Sequence, residues 1–329
     1  MPSDPNQSRS LATEASLALE GILACPRDGG ILRREAEWVC PSCKLRVPEV
    51  GGIVRFTQEK YAASFGRQWN RYDVMRPEED AAVFRAKAGV DAADLAGLRV
   101  LDAGCGGGRY SHLLGGHHAF VVGVDLSLAV EKARSLCADM PNVQIVQADL
   151  LELPIAAESF DFAFSIGVMH HSSDPRRAFA RVASAVKPGG RLAVWLYRRN
   201  TLPQECVNSA LRALTTRMPA RMLEKMSVGL GLIGGVPLLN KSLNKVVNFS
   251  NHADWTLRVC DNFDWYAPRY QSHHSLAELK QWFHEEGFSD LRELRPVKRG
   301  LVYEWSYDHN LLIGSGVNVL GTKRALPIA

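Results

Sequence analysis

The stretch RVLDAGCGGGRYSHLL, residues 99–114, constrains the fold more than any other part of the chain. An apolar run ends in closely spaced glycines and a helical pattern follows, which predicts a buried strand, a glycine turn and a helix. Such a turn offers backbone N–H groups and the positive end of a helix dipole to a ligand. Counting from Gly104, Arg109 stands where the dinucleotide fingerprint needs its third glycine. The turn therefore argues against a dinucleotide.

The sequence after Leu98 alternates between apolar runs and helical patterns. Five β-rich runs occur in this order: LRVLDAG, AFVVGVDLS, VQIVQADL, FDFAFSIG and GRLAVWLY. Helical stretches such as LAVEKARSLCADM and PRRAFARVASAV separate them. Strands that alternate with helices predict βαβ units, and therefore a parallel sheet with right-handed crossovers.

An acidic residue precedes evenly spaced glycines in the turn, in the pattern Asp102-x-Gly104-x-Gly106-x-Gly108, and acidic residues also end the next two strands. With the two strands that follow, these motifs resemble the class I S-adenosylmethionine-dependent methyltransferases of the small-molecule type. The resemblance implies an α/β, Rossmann-like, doubly wound and mostly parallel sheet of seven strands, with a helical lid insertion and a small N-terminal β ribbon. It assigns cofactor binding to Asp102, Gly104, Gly106, Gly108, Asp125, Leu126, Asp149, Leu150 and Ser165.

Each strand-end carboxylate has an implied role. Asp102 would orient the amino-acid end of the cofactor, Asp125 would accept hydrogen bonds from both ribose hydroxyls, and Asp149 with Leu150 would border the adenine. A helix N-cap is the alternative role for any one of them. Upstream, SFGRQWNRY resembles a helix that closes over the cofactor, where Gln68 and Trp69 would enclose the methionine end. The alternative is an aromatic stripe that packs in the core.

The loop after the fourth strand carries His170 and His171, and in this fold that loop faces the methyl group. A histidine there would take a proton from a hydroxyl acceptor, or would serve the structure alone. The segment DNFDWYAPRYQSHHS, residues 261–275, is dense in aromatic and ionisable groups. It offers substrate contacts, with packing aromatics before an N-cap at Ser275 as the alternative. Its candidate substrate residues are Asp264, Tyr266, Tyr270, His273 and His274.

Three cysteines and one aspartate near the N-terminus have the layout of a zinc ribbon. Cys25 and Asp28 form the first pair and Cys40 and Cys43 the second, so an aspartate stands where a fourth cysteine is expected. Zinc accepts carboxylate oxygen, so a structural zinc site is one interpretation. A ribbon that keeps its shape without metal is the other. The segment resembles the short zinc-ribbon domains related to the activator subunit of tRNA and rRNA methyltransferases.

The acceptor is expected to be a small, apolar metabolite methylated on oxygen, nitrogen or carbon. The helical insertion with its apolar residues suggests such a pocket, or a contact with a membrane surface or lipid-like substrate. An RNA substrate is the alternative that the ribbon suggests. The net charge of +4 is too small to require a nucleic-acid partner. The loop after the fourth strand also lacks the Asn/Asp-Pro-Pro-aromatic signature that methylation of exocyclic base amines requires. A non-catalytic cofactor-binding scaffold is a third possibility.

The chain is predicted to divide into six segments. No signal-peptide pattern and no bilayer-spanning run is recognised, and seven cysteines without a disulfide framework suit a reducing compartment, so a cytoplasmic location is expected. The segments are a flexible N-terminus (1–20), the zinc-ribbon-like module (21–57), a helical cap (58–97), the methyltransferase core (98–198), the helical lid insertion (199–263) and the C-terminal part of the core (264–329).

Overall fold

The computed structural model describes residues 19–57, 77–199, 201–236, 243, 247–295, 305 and 316–325. The strands are β1 (Arg33–Arg34), β2 (Trp38–Val39), β3 (Arg46–Val47), β4 (Glu49–Val50), β5 (Ile53–Arg55), β6 (Arg99–Ala103), β7 (Phe120–Asp125), β8 (Val143–Gln147), β9 (Phe160–Ile166), β10 (Val186–Tyr197), β11 (Phe288–Glu293) and β12 (Gly316–Lys323). The α-helices used below are α1 (Pro77–Ala88), α2 (Arg109–Gly116), α3 (Val130–Leu136), α4 (Pro175–Ser184), α5 (Leu202–Thr215), α6 (Ala220–Gly234), α7 (Trp255–Tyr266) and α8 (Leu276–Glu285).

The central sheet has the strand order β11-β12-β10-β9-β6-β7-β8-β5-β4. The six strands from β10 to β5 are parallel, and β12 is antiparallel to both of its neighbours. The chain leaves β6 toward β7 and β8 and then returns to β9 on the other side. Ligands in open α/β sheets bind at such a reversal, beyond the carboxyl ends of the strands. The predicted Rossmann-like α/β fold is confirmed.

Two hydrophobic clusters cover the two faces of this sheet. Successive strand residues point to opposite faces, and accordingly Val100 belongs to one cluster and Leu101 to the other. On one face, Phe84 of α1 packs edge-on against Phe164 of β9, with ring centroids 5.3 Å apart. On the other face, Phe179 of α4 contacts Phe283 of α8. Burial on both faces explains why the strands are continuous apolar runs.

The N-terminal ribbon, residues 21–57, has two parts. Strands β1, β2 and β3 form a small antiparallel sheet, as the hairpin-like sequence suggests. Strands β4 and β5 instead extend the central sheet, because β5 pairs in parallel with β8. Every residue of β8 is buried, including Gln144 and Gln147. The sheet therefore has seven strands of the expected core and two more from the ribbon.

In its described residues, the insertion predicted at 199–263 contains the helices α5, α6 and most of α7, and α5 is held to the segment that follows the insertion. The guanidinium of Arg212 on α5 donates to the carbonyl oxygens of Trp265 and Pro268, each at 2.6 Å. Helices α6 and α7 contact each other around a third small cluster, which contains Leu223 and Phe263. None of the helices in the described ranges is long and apolar enough to cross a membrane.

One local prediction after the fourth core strand is wrong, and a second lies almost entirely outside the described residues. The segment KPGG, residues 187–190, predicts a helix stop followed by a turn, but it lies inside β10, where the register shifts between Val186 and Arg191. A bulge absorbs the extra residues without ending the strand. The run GLVYEWSY, residues 300–307, predicts a further strand. All of it but residue 305 lies outside the described residues, so it stays a prediction.

Candidate functional site

A cavity of about 440 Å³ opens at the carboxyl ends of the central strands. Its size lies in the range of small-molecule sites. Ten of the residues that the sequence singles out line it, which brings together strand ends and the segment after the lid. These residues are Asp102, Gly104, Gly106, Asp125, Leu126, Asp149, Leu150, His171, Asp264 and Tyr270.

The glycine turn needs its glycines for two different reasons. Gly104 has φ = +97°, and a Cβ atom there would come within 2.3 Å of the Val168 side chain. Gly108 has φ = +83° and a Cβ atom there would lie 2.8 Å from Cα of Ala133. Gly104 thus brings the turn against the loop after β9, whereas Gly108 brings helix α2 against α3. Gly108 does not line the cavity, so its role is in helix packing.

Asp125 ends β7 and organises the turn opposite it. Its Oδ2 accepts a hydrogen bond from the Gly106 backbone N–H at 2.9 Å. Its Oδ1 accepts from the backbone N–H and the hydroxyl of Ser127, at 2.8 and 2.7 Å. Burial raises the pKa of Asp125 despite these donors. A carboxylate fixed in this way can accept further bonds from ligand hydroxyls, because each oxygen has two lone pairs.

Asp102 is the last residue but one of β6, lines the cavity and is almost fully buried. Its Oδ2 accepts a hydrogen bond from the Ser111 hydroxyl at 2.8 Å. Burial raises its pKa to about 7, and the nearby Asp125 adds to that rise while Ser111 opposes it. A buried carboxylate of this kind favours a cationic ligand, because a positive charge would compensate for its lost hydration.

Asp149 both caps a turn and lines the cavity. Its Oδ1 accepts a hydrogen bond from the Leu151 backbone N–H at 2.9 Å, at the start of a short 3-10 turn. The N-cap interpretation is therefore correct for one oxygen. Leu150 and Leu151 line the cavity beside it and give that end an apolar wall. An adenine ring suits such a wall, since it has apolar faces and a polar rim.

His171, Asp264 and Tyr197 form a chain of polar contacts at the other end of the cavity. Nε2 of His171 lies 3.6 Å from Oδ2 of Asp264. The Tyr197 hydroxyl donates to that same Oδ2 at 3.1 Å. Nδ1 of His171 lies 3.2 Å from the carbonyl oxygen of Tyr270. Because a carbonyl oxygen can only accept, Nδ1 of His171 is the donor in this contact.

His170 differs from its neighbour in its access to the cavity. It is fully buried and does not line the cavity, and its ring stacks on Tyr197 with centroids 3.8 Å apart. Burial lowers the pKa of His170 well below its ordinary value, so it is neutral. A neutral ring with no access to the cavity packs the tyrosine that contacts Asp264. Of the two candidate bases, the geometry retains His171 alone.

Four other candidates lie away from the cavity. The Ser165 hydroxyl donates to the carbonyl of Ala103 at 2.8 Å and so joins β9 to β6. Tyr266 is buried and donates to the carbonyl of Asn248. His273 contacts Glu205 at 2.7 Å, and His274 contacts Glu278 at 3.1 Å. These polar groups have partners inside the fold, which sequence spacing cannot reveal. Gln68 and Trp69 lie outside the described residues.

The cavity also contains residues that sequence reasoning missed. The charged ones are Arg109, Lys132 and Arg269. Arg109 follows the glycine turn directly and forms an ion pair with buried Asp80 of α1 at 3.4 Å. Its place after the turn was a usable signal, because the first helical residue after such a turn faces the ligand. Lys132 and Arg269 carry no comparable signal in the sequence.

The cysteine cluster, Cys25, Asp28, Cys40 and Cys43, lies in the ribbon. One potential ligand atom from each residue lies within 4.8 Å of all the others. The Sγ atoms of Cys25 and Cys43 are 3.5 Å apart, and Sγ of Cys40 lies 3.3 Å from Oδ2 of Asp28. All seven cysteines of the chain fall in the described residues and are free.

These donors fit a zinc ion. At Zn–S and Zn–O bond lengths of about 2.0–2.3 Å, tetrahedral ligand atoms stand about 3.3–3.8 Å apart. The two separations across the cluster agree with this. A hydrogen bond from the Gly30 backbone N–H lowers the pKa of Asp28 to about 2, so its carboxylate is ionised. Three thiols and one carboxylate are ligands that zinc accepts.

Comparison with known proteins identifies a family and several relatives. Residues 101–194 match a family described as a methyltransferase domain. A ubiquinone biosynthesis O-methyltransferase of Coxiella burnetii is 33% identical over 134 residues, which is 40% of this chain and 57% of that protein. One from Xanthomonas euvesicatoria is 31% identical over 170 residues, 51% of this chain and 69% of that protein.

A solved S-adenosylmethionine-dependent methyltransferase from Mesorhizobium loti is 21% identical, with 75% of this chain and 100% of that chain covered and a TM-score of 0.46. The sheet order and the carboxylates at the strand ends define a Rossmann-like cofactor-binding protein. The chain belongs to the class I S-adenosylmethionine-dependent methyltransferases. S-adenosylmethionine is the cofactor of this family. The chain spans 57% of the length of the Coxiella burnetii relative.

Proposed function

We propose that this protein transfers the methyl group of S-adenosylmethionine to a hydroxyl group of a small, largely apolar acceptor. The observation that carries this proposal is the placement of His171 and Asp264 together in the wall of the cofactor cavity. The names of its relatives, which are O-methyltransferases of ubiquinone biosynthesis, support an oxygen acceptor. Apolar neighbours such as Val168 and Met169 support an acceptor with little polarity.

The cofactor would lie along the carboxyl ends of the strands. Asp149 and Leu150 would border the adenine, and Asp125 would hold the ribose hydroxyls. Asp102 would attract the amino-acid end, with its ammonium group. This orientation directs the sulfonium methyl group toward the loop after β9, where His171 lies. Positioning of this kind can supply about 7–11 kcal/mol of the barrier in a well-aligned displacement.

In the transfer, the acceptor oxygen attacks the methyl carbon in line with the C–S bond. That bond breaks, and its electron pair returns to sulfur to give S-adenosylhomocysteine. The hydroxyl proton moves to the pair formed by His171 and Asp264, whose imidazole is held in place by the contact of Nδ1 with the Tyr270 carbonyl. The carboxylate of Asp264 then stabilises the imidazolium that forms. Tyr197 fixes that carboxylate through its hydroxyl.

The experiment supplies S-adenosylmethionine labelled in its methyl group. It compares phenols that carry apolar substituents with amines of matched size and with an RNA fraction. We expect label on the phenol oxygen, and we expect His171→Asn to lower the rate while His284→Asn, at an exposed position, does not. Label in RNA, or on an amine alone, would contradict an oxygen acceptor.

We propose in addition that the cysteine cluster holds one zinc ion. The convergence of its four donors supports this, and so does their position in two tight turns. In the first turn, the Cys25 N–H donates to the Gly30 carbonyl and the Gly29 N–H donates to the Cys25 carbonyl. In the second, the Lys44 N–H donates to the Cys40 carbonyl at 3.1 Å. Metal analysis of protein purified without chelator is expected to give about one zinc per chain.

A further inference from the structure

The ribbon grips the cavity segment, residues 149–151, from both sides. Upstream of that segment, β5 pairs with β8 up to the partners Arg55 and Gln147, and the Phe56 N–H donates to the Gln147 carbonyl at 2.9 Å. Downstream of it, the Ala24 N–H donates to the Pro154 carbonyl at 3.0 Å. The cavity segment therefore crosses between two backbone attachments to the same small module.

The downstream attachment adjoins the cysteine cluster. Leu23 bridges Ile155, and the Ala156 N–H donates to the Ile22 carbonyl at 2.8 Å. Cys25 directly follows Ala24, whose N–H donates to the Pro154 carbonyl. Leu23, Cys25 and Ile155 belong to one hydrophobic cluster with Leu150 of the cavity wall. The cysteine cluster is thus connected to the cavity wall through backbone hydrogen bonds and close packing.

A side-chain connection reinforces the upstream attachment. The guanidinium of Arg55 donates to Oε1 of Gln147 at 2.7 Å and also pairs with Glu131 of α3. The buried Gln147 side chain donates in turn to the carbonyl of Leu126 at 3.2 Å. Leu126 lines the cavity directly after Asp125. The ribbon is therefore connected, through Gln147, to a second part of the cofactor site.

We propose that the ribbon is a metal-dependent clamp on the adenine end of the cavity, so that zinc and cofactor each raise the affinity for the other. This inference rests on the zinc site and on the cofactor assignment proposed above. Without metal, four ligand residues lose their cross-link and the Ile22–Ala24 attachment loosens. Cofactor binding must then also order the cavity segment, and this entropic cost lowers the affinity for the cofactor. Thermodynamic linkage requires that bound cofactor raise the affinity for zinc by the same factor by which zinc raises the affinity for cofactor.

The test uses the full chain and S-adenosylhomocysteine as the probe. Its affinity is measured by calorimetry for protein with zinc, after zinc removal by chelator and after zinc is restored. We expect removal to weaken binding by about 5- to 50-fold and restoration to recover it. In the reverse experiment, bound S-adenosylhomocysteine should strengthen zinc retention against a coloured chelator by the same factor.

A variant that leaves the cluster intact separates the clamp from simple unfolding. Arg55→Met removes the contact to Gln147 but no zinc ligand. We expect this variant to keep one zinc per chain and to bind S-adenosylhomocysteine more weakly. Arg33→Met is the matched control at an exposed ribbon position, and it should change neither. Circular dichroism checks that each protein is folded.

Two results would overturn the clamp. The first is a zinc content near zero, and the second is an affinity for the probe that changes less than twofold on zinc removal. Methyl transfer is a separate readout, since the proposed function fails only if the zinc-loaded protein transfers no methyl group to any hydroxyl acceptor.

Discussion

Nε2 of His171 lies 3.6 Å from Oδ2 of Asp264, although the two residues belong to elements that are far apart in the chain. His171 follows a core strand, whereas Asp264 lies near the end of α7, beyond the lid. The distance exceeds a hydrogen bond, and such contacts often tighten only in the substrate complex. The base and its charge partner are therefore brought together where α7 contacts Tyr197 at the end of β10.

Replacing this base should affect chemistry and leave cofactor binding intact. We expect His171→Asn to lower kcat by about 10²–10⁴-fold, because a general base typically contributes that much. Asp264→Asn should lower kcat as well, since the imidazolium loses its counter-charge. Affinity for S-adenosylhomocysteine, measured by calorimetry, should change little in both. An unchanged kcat in His171→Asn would exclude this residue as the base.

Asp125 should be the residue on which cofactor affinity depends most. Asp125→Ala removes the proposed ribose acceptor and also the acceptor of the Gly106 and Ser127 bonds. We expect affinity for S-adenosylhomocysteine to fall by about 10²-fold or more, since a bond to a charged group contributes about 1.5–3 kcal/mol. Asp139→Ala, at an exposed carboxylate, is the control. Equal affinities in the two variants would refute the assignment.

Asp102 should make cofactor-free stability depend on pH. Its pKa of about 7 in the folded protein lies above the ordinary value of 3.8, so the folded state binds this proton more tightly than the unfolded chain. Its contribution to the free energy of unfolding is therefore largest below pH 4 and is lost as pH rises toward 7. We expect Asp102→Asn to be more stable than the wild type at pH 8 by on the order of 1–3 kcal/mol.

The same variant should bind the cofactor more weakly, because it has lost the negative charge that attracts the ammonium group. In the wild type, affinity for S-adenosylmethionine should rise between pH 5.5 and 7.5 as Asp102 ionises. Urea unfolding at several pH values and calorimetry provide the two measurements. A stability difference between the variant and the wild type that stays constant from pH 5 to pH 8 would count against this pKa.

The glycine turn should tolerate no side chain at Gly108. Its φ of +83° and the 2.8 Å approach to Cα of Ala133 mean that an alanine strains the turn and pushes α2 from α3. We expect Gly108→Ala to lower the free energy of unfolding by about 2–4 kcal/mol. Gly116→Ala, in the same helix with open space around it, should cost less than about 0.5 kcal/mol. Thermal unfolding compares them, and equal losses would disprove the packing role.

The sequence by itself determined the fold and the donor end of the site. Strand ends are local features, and parallel strands place their carboxyl ends at one edge, so Asp102, Asp125 and Asp149 converge without any knowledge of loops. The cysteine spacing likewise brought Cys25 and Cys40 together, because a short hairpin joins them. Such features depend on residues that are close in the chain or fixed by a regular sheet.

Only the tertiary structure decided which histidine faces the cavity and what the ribbon contacts. His170 and His171 are adjacent in sequence, yet a short 3-10 turn buries one beneath Tyr197 and directs the other toward Asp264. The pairing of β5 with β8 joins segments about 90 residues apart in the chain. Contacts of that range depend on the packing of whole elements, which periodicity and spacing along the chain do not encode.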